Sequence, residues 1–216
     1  MDYEAARRNM VESQIRTNKV THPGLLAALS SVPRERFLPA DRAFAAYVDD
    51  DIPMAPGRFL MEPMVFARLV QLAEPMPEDR ALVIGSGPGY GAAVLAHLVA
   101  SIVALESDAG LAARGKDQLA QLAIHNVAQV TGPLAQGWPG SAPYDLILIE
   151  GSVEEIPQAL FGQMAEGGRL VTVVATEGVG RATLFAEREK VISHRPYFDA
   201  AVPALADFRR QRGFVF

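Results

Sequence analysis

The chain has 216 residues, of which half are apolar and 21% are charged, and it carries a formal net charge of −5. A chain of this length and composition can bury a substantial core as one globular domain, which argues against intrinsic disorder. It contains no cysteine, which excludes disulfides, a cysteine nucleophile and thiolate metal ligands. The negative charge disfavours nucleic acid as a general partner.

Membrane contact and metal binding are not expected either. No apolar run reaches the length of a membrane span, and no apolar segment follows a basic start, so we expect a cytoplasmic protein without membrane contact. The four histidines lie far apart, at positions 22, 97, 125 and 194, and no bound metal is expected.

Two helices are predicted at the N-terminus. Residues 3–19 place Met10, Val11 and Ile15 at helical spacing, and a second helix begins at Pro23 and runs through Leu29. Both helices precede the first strand predicted for the main sheet, which begins at residue 81. We therefore expect them to pack outside the sheet as a helical cap.

Residues 46–63 are rich in proline and glycine and show no hydrophobic period. This predicts a long loop, and loops of this length in compact domains are usually functional. Three consecutive acids at positions 49–51 are either a metal site or a solvated turn, and the turn is favoured because nothing nearby completes a ligand set. A helix is predicted over residues 64–72.

Residues 81–106 carry the pattern of a nucleotide-binding strand, turn, helix and second strand. Glycines in the turn allow close approach of a ligand to the backbone, and the following helix points free N–H groups at it. Glu106, at the end of the second strand, is placed to accept hydrogen bonds from ribose hydroxyls. The pattern predicts an adenosine ligand, and the alternative is a turn without a ligand. The turn comprises Gly85, Ser86, Gly87, Pro88, Gly89 and Tyr90.

Strands and helices then alternate, which predicts a doubly wound, mostly parallel α/β sheet. The expected elements are a helix at 108–123, strands at 126–131, 144–150 and 170–174, a helix at 157–164 and a turn at 167–168. Strand-like segments at 182–186, 190–193 and 213–216 predict antiparallel edge strands. We expect a single domain, with a cap and loop over 1–62, a cofactor-binding core over 63–176 and an antiparallel edge over 177–216.

Several motifs resemble, in order and spacing, those of protein-L-isoaspartate O-methyltransferases. The segment at 32–37 is similar to the family's Val-Pro-Arg-Glu-x-Phe, and the segment at 84–90 is similar to its Ile-Gly-Thr-Gly-Ser-Gly-Tyr. Further matches lie at 125–127, 137–138, 142–145, 155–157 and 167–171. The resemblance implies a class I S-adenosylmethionine-dependent methyltransferase fold, Rossmann-like with seven strands. It also implies methyl transfer to the carboxylate of isoaspartyl residues in damaged proteins, with S-adenosylhomocysteine as product.

The resemblance also implies positions for the site residues. Cofactor contacts fall on the turn from Gly85 to Tyr90, on Glu106 with Ser107, on Leu134 beside the adenine, and on Glu150. Substrate contacts fall on the loop that carries Arg58, Phe59, Leu60 and Met61.

This loop departs from the family pattern. The family reads Gly-Gln-Thr-Ile-Ser-Gln-Pro, whereas residues 57–63 replace the threonine by Phe59 and the serine by Met61. No catalytic residue is therefore assigned, because the family's serine position is Met61. Arg58 either donates to a substrate carboxylate or is a solvated loop residue, and Glu62 would add unfavourable charge beside an anionic acceptor.

Glu150 is a second departure, since the family has a neutral threonine there. It is a solvated strand-end acid, a ligand for the cofactor ammonium, or a base for a neutral acceptor. Three functions follow: isoaspartyl carboxyl methylation, methylation of a less polar acceptor admitted by Phe59 and Met61, or a non-catalytic scaffold. The expected partner is an isoaspartyl protein or peptide, and the chain is expected to be a monomer or weak homodimer.

Overall fold

The computed structural model describes residues 1–176 and 178–209. Its helices are α1 Tyr3–Met10, α2 Pro23–Ser31, α3 Pro63–Leu72, α4 Tyr90–Leu95, α5 Ala109–Gln121 and α6 Gln158–Phe161. Its strands are β1 Ile52–Ala55, β2 Arg58–Leu60, β3 Arg80–Ile84, β4 Ser101–Glu106, β5 Val127–Thr131, β6 Tyr144–Val153, β7 Met164–Thr176, β8 Val179–Arg188 and β9 Val191–Asp199.

Seven strands form one sheet in the order β5-β4-β3-β6-β7-β8-β9. The strands from β5 to β7 are parallel, and β8 and β9 continue the sheet antiparallel. The central strands are continuous apolar runs because both faces are covered, with Val83 in one hydrophobic cluster and Leu82 in the other. The predicted doubly wound, mostly parallel sheet is confirmed.

The N-terminal cap follows the predicted helices. After α1 the chain stays helical through a π-helical segment, Val11–Ile15, and a 3-10 turn, Arg16–Asn18. The cap's Met10, Val11 and Ile15 are buried in the same cluster as α3 and α4. The cap therefore packs with α3 and α4 on one face of the sheet.

Three predicted elements need correction. Residues 46–63 are not loop throughout, because β1 and β2 form a short antiparallel hairpin that pairs Ile52 with Leu60 and turns at Gly57. The helix predicted over 157–164 has only four residues, because Met164 already pairs with Tyr144 and begins β7. The turn predicted at 167–168 lies inside that long strand, where the register with β6 shifts.

After β9 the chain crosses the carboxyl edge of the sheet, where no element was predicted. Ser152 N donates to Pro203 O at 3.0 Å, and Leu205 N donates to Ser152 O at 2.9 Å. These bonds hold residues 200–208 against the end of β6. The strand predicted at 213–216 lies outside the described residues, and the division of the chain at residues 62 and 176 stays a prediction.

Candidate functional site

The site lies at the carboxyl ends of β3, β4 and β6, where ligands bind in open parallel sheets. The turn after β3 is built on Gly85, Gly87 and Gly89, which all have positive φ. Gly85 N and Ser86 N both donate to Leu105 O, at 2.9 and 3.1 Å. The turn is thus tied to the end of β4, which brings Glu106 beside it.

Glu106 is completely buried, and both of its carboxylate oxygens are engaged. Oε2 accepts from Gly87 N at 2.9 Å. Oε1 accepts from Ser107 N at 2.8 Å and Asp108 N at 2.9 Å, and also from Arg58 Nε at 3.0 Å. The carboxylate predicted to hold ribose hydroxyls therefore pairs with a guanidinium of the same chain in this conformation.

Arg58 is only 8% exposed, so it is not a solvated loop residue. Besides its ion pair with Glu106, it donates from Nη2 to Ser107 Oγ at 2.6 Å and lies 3.4 Å from Asp207 Oδ2. Glu106 and Ser107 lie at the end of β4, and Asp207 lies in the crossing segment of residues 200–208. The predicted role of Arg58 as a donor to a substrate carboxylate stays a prediction, and that role would require it to leave these partners.

The side chains of Met54 and Leu205 pack against glycines of the site, at the positions where a Cβ atom would stand. A Cβ added at Gly87 would stand 2.7 Å from Met54 Cε, and one added at Gly151 would stand 2.5 Å from Leu205 Cγ. Leu205 also lies on Gly85, where an added Cβ would stand 3.2 Å from its Cδ1. Sequence reasoning missed both side chains, because the strand that carries Met54 has only four residues and Leu205 lies where no element was predicted.

A small cavity of about 10 Å³ lies beside Leu205 and Gly151. It lies between the hairpin, the end of β6 and the crossing segment, so Phe59 and Met61 line it together with Glu150. Leu60 instead packs in the hydrophobic core. The cavity is lined by Asp51, Gly57, Phe59, Met61, Glu150, Gly151, Val202, Pro203 and Leu205.

Glu150 has an unusual environment for a carboxylate. Its Oε1 is buried and has no hydrogen-bond partner among the described residues. Burial raises the pKa of this carboxyl to about 8, and the Glu106 charge adds to the rise while the Arg34 guanidinium opposes it. Glu150 is therefore not the solvated strand-end acid of the simplest interpretation, and it is largely protonated at neutral pH.

Arg34 holds the segment of residues 46–61 in place through hydrogen bonds to its backbone. Sequence reasoning did not assign this role. The fully buried Arg34 guanidinium donates to Ala46 O at 2.7 Å and Met61 O at 2.5 Å, so it ties together the two ends of the hairpin segment. Its Cζ lies 4.9 Å from the centre of the Tyr90 ring. The Tyr90 ring therefore faces the cap, and the predicted cofactor contact of this residue would be through its backbone.

The other predicted cofactor residues have structural partners. Ser86 Oγ accepts from Gln129 Nε2 at 3.1 Å. Leu134 is fully buried among the side chains of the opposite sheet face. Contact of these residues with a cofactor stays a prediction.

The residues fit an adenosyl cofactor in kind. A cradle without Cβ atoms beside a strand-end carboxylate with polar neighbours is the donor set that such a ligand needs. In this conformation Met54 lies against Gly87 and Leu205 against Gly85, and Arg58 pairs with Glu106. These three side chains contact the same groups that the predicted cofactor would contact.

Residues 1–176 and 178–209 contain neither a metal-binding cluster nor a membrane-spanning helix. In that part of the chain no three acidic or histidine side chains come together as metal ligands. No helix there has the length and apolar character needed to cross a bilayer.

Comparison with known proteins gives a consistent result. The family model described as Protein-L-isoaspartate(D-aspartate) O-methyltransferase matches residues 5–200. A Protein-L-isoaspartate O-methyltransferase of Methanoregula boonei is 41% identical over 168 residues, which are 78% of this chain and 77% of that protein. One of Opitutus terrae is 35% identical over 215 residues, which are 97% of this chain and 91% of that protein.

Solved structures confirm the predicted class I methyltransferase fold. A protein-L-isoaspartate O-methyltransferase structure aligns with a TM-score of 0.80 at 24% identity, over 92% of this chain and 65% of that one, slightly under two thirds. A Plasmodium falciparum structure described as this enzyme in complex with S-adenosyl-L-homocysteine aligns with a TM-score of 0.78 at 17% identity. It covers 96% of this chain and 99% of that one.

Proposed function

The chain belongs to the protein-L-isoaspartate(D-aspartate) O-methyltransferase family, and we propose that it methylates the free carboxylate of isoaspartyl residues in damaged proteins or peptides. This is a family of S-adenosylmethionine-dependent methyltransferases. The observation that carries the proposal is the meeting of the glycine turn, Glu106 and the loop of residues 57–63 at one edge of the sheet. All three lie within the residues that the family matches.

Methyl transfer to a carboxylate requires mainly that the protein position the two reactants. When bound, the cofactor supplies a methyl group already activated by a sulfonium, and a carboxylate is already a nucleophile at neutral pH. The chain needs no general base for this reaction, and its task is to hold the acceptor oxygen in line with the methyl carbon and to exclude water. In this proposal the turn from Gly85 to Gly89 and Glu106 hold the cofactor, and the loop covers it.

Glu150 supplies the donor that the loop has lost. Phe59 and Met61 offer no hydrogen bond to an anionic acceptor, and an unpaired carboxylate against apolar side chains is costly. A protonated carboxyl can donate a hydrogen bond to such an acceptor, as buried acids do in other active sites. The raised pKa of Glu150 and its place in the cavity beside Phe59 and Met61 support this role.

Methylation of a neutral acceptor is the second candidate. The apolar Phe59 and Met61 favour an uncharged acceptor, and the unpartnered Oε1 of Glu150 favours a base that takes the proton such an acceptor loses. The two candidates require opposite protonation states of one carboxyl. They therefore predict opposite dependences of turnover on pH.

The test is methyl transfer from labelled S-adenosylmethionine to an isoaspartyl peptide between about pH 6 and about pH 9.5. The control substrate is the aspartyl peptide of the same sequence, and the control variant is Glu78→Gln on the exposed surface. We expect turnover on the isoaspartyl peptide alone, falling about tenfold per pH unit above about pH 8. Glu150→Gln should keep its activity and lose this decline, because the amide also donates.

Other outcomes separate the alternatives. Transfer to an uncharged acceptor that rises towards pH 8 and disappears in Glu150→Gln would favour the base and hence the second candidate. Absence of transfer to the isoaspartyl peptide at every pH would contradict the proposed substrate. We also propose that the protein acts in the cytoplasm, as a monomer or weak homodimer, which fractionation and analytical ultracentrifugation would test.

A further inference from the structure

The cofactor site is closed from two directions by parts of the chain that are far apart in sequence. The β1–β2 hairpin contributes Arg58 and Met54, and the crossing segment of residues 200–208 contributes Leu205 and Asp207. Arg58 and Asp207 join the two parts, with Nη2 3.4 Å from Oδ2. We call these four side chains the latch.

The polar half of the latch competes for the groups that a ribose would use. Arg58 Nε occupies Glu106 Oε1, and its Nη2 occupies Ser107 Oγ. The Arg58 side chain is 10% exposed and that of Glu106 is fully buried, so water screens this pair little. Glu106 keeps three backbone donors without Arg58, which means that the ion pair can be given up without leaving the carboxylate unsolvated.

The apolar half of the latch fills the volume above the turn. Met54 lies on Gly87, and Leu205 lies on Gly85 and Gly151. Backbone bonds between Ser152 and both Pro203 and Leu205, and a bond from Glu154 N to Phe208 O at 3.2 Å, fix the crossing segment in place. Met54 and Leu205 therefore lie where an adenosyl group would approach the glycines.

We propose that the latch is an autoinhibitory contact, and that the cofactor binds only after Arg58 leaves Glu106 and residues 200–208 separate from Ser152. This proposal rests on the proposed function, because it concerns access to the same cofactor site. The apparent affinity of such a protein is its intrinsic affinity multiplied by the fraction of molecules with an open latch. Loosening the latch therefore tightens cofactor binding, although it removes native contacts.

Two latch variants and two matched controls test the proposal in the full-length protein. Arg58→Gln keeps a polar side chain without the charge, and Leu205→Ala removes the apolar cover. The controls are Arg42→Gln at the exposed surface and Leu122→Ala at the end of α5. Calorimetric titration with S-adenosylhomocysteine should give at least about fivefold tighter binding for each latch variant and unchanged binding for each control.

Hydrogen exchange of the wild-type protein provides a second measurement that needs no variant to fold. The amides of Ser152 and Leu205 should be protected without ligand and lose protection when S-adenosylhomocysteine is added. Wild-type binding with both amides still protected would overturn the latch and leave the proposed function standing. Equal or weaker binding by both latch variants would also overturn it. If neither the wild-type protein nor a latch variant binds the ligand, the latch and the proposed cofactor site both fail.

Discussion

At the scale of single residues, Glu150 links the site to the stability of the whole protein. Burial raises the pKa of its carboxyl to about 8 in the native state, from an ordinary value of 4.5 that applies to the unfolded chain. Between these two values the native state keeps a proton that the unfolded state has lost. The stability associated with this group is therefore fully present below about pH 4.5, and it is lost as the pH rises towards about 8.

Glu150→Gln removes this proton linkage and keeps the size of the side chain. We expect the free energy of unfolding of the wild-type protein to fall relative to that of the variant between about pH 5 and about pH 8. The slope should be at most about 1.4 kcal/mol per pH unit. Urea unfolding of both proteins at several pH values measures the difference. A difference that is constant with pH would mean that Glu150 is ionised in the native state throughout.

At the scale of elements, helix α4 approaches the end of β6 so closely that its second residue must be glycine. All six residues of α4 are buried. A Cβ added at Gly91 would overlap Glu150 Oε1 and stand 3.0 Å from the Phe66 ring. The overlap is relieved only if the Glu150 carboxylate turns away from α4, and such a rearrangement beside a close-packed helix costs free energy.

Gly91→Ala should therefore destabilise the protein by about 1–3 kcal/mol, although alanine has the higher helix propensity. Gly162→Ala is the matched control, because an added Cβ there meets nothing closer than 3.7 Å and φ is −66°. Urea unfolding of both variants measures the contrast. The loss should shrink when Gly91→Ala is combined with Glu150→Ala, and equal effects at the two glycines would contradict the packing described for α4.

At the scale of the whole molecule, the parallel core could be predicted from the sequence. The packing of the β1–β2 hairpin and of residues 200–208 over the candidate site could not. The runs at 81–84 and 144–150 are continuously apolar because their strands are covered on both faces, so local sequence was sufficient to identify them. Glu106 could be placed beside the glycine turn for the same reason, since the carboxyl ends of neighbouring parallel strands share one edge.

The features that were missed depend on contacts between distant parts of the chain. Arg58 pairs with two acidic residues that are distant in sequence, Glu106 at a separation of 48 residues and Asp207 at a separation of 149. No local sequence pattern encodes such a pairing. The hairpin strands have only three and four residues, too few for a period to show. Helix α6 was predicted too long because the pairing of Met164 with Tyr144 is a tertiary interaction.

Glu106 is the proposed anchor of the cofactor, and its contribution to cofactor affinity can be measured. S-adenosylhomocysteine is titrated calorimetrically into the wild-type protein and into Glu106→Ala, after circular dichroism has shown that the variant is folded. We expect the wild-type protein to bind and the variant to lose at least about tenfold in affinity, because the ribose hydroxyls lose their acceptor. Equal affinity would contradict the assignment of Glu106, and absence of wild-type binding would favour a non-catalytic scaffold.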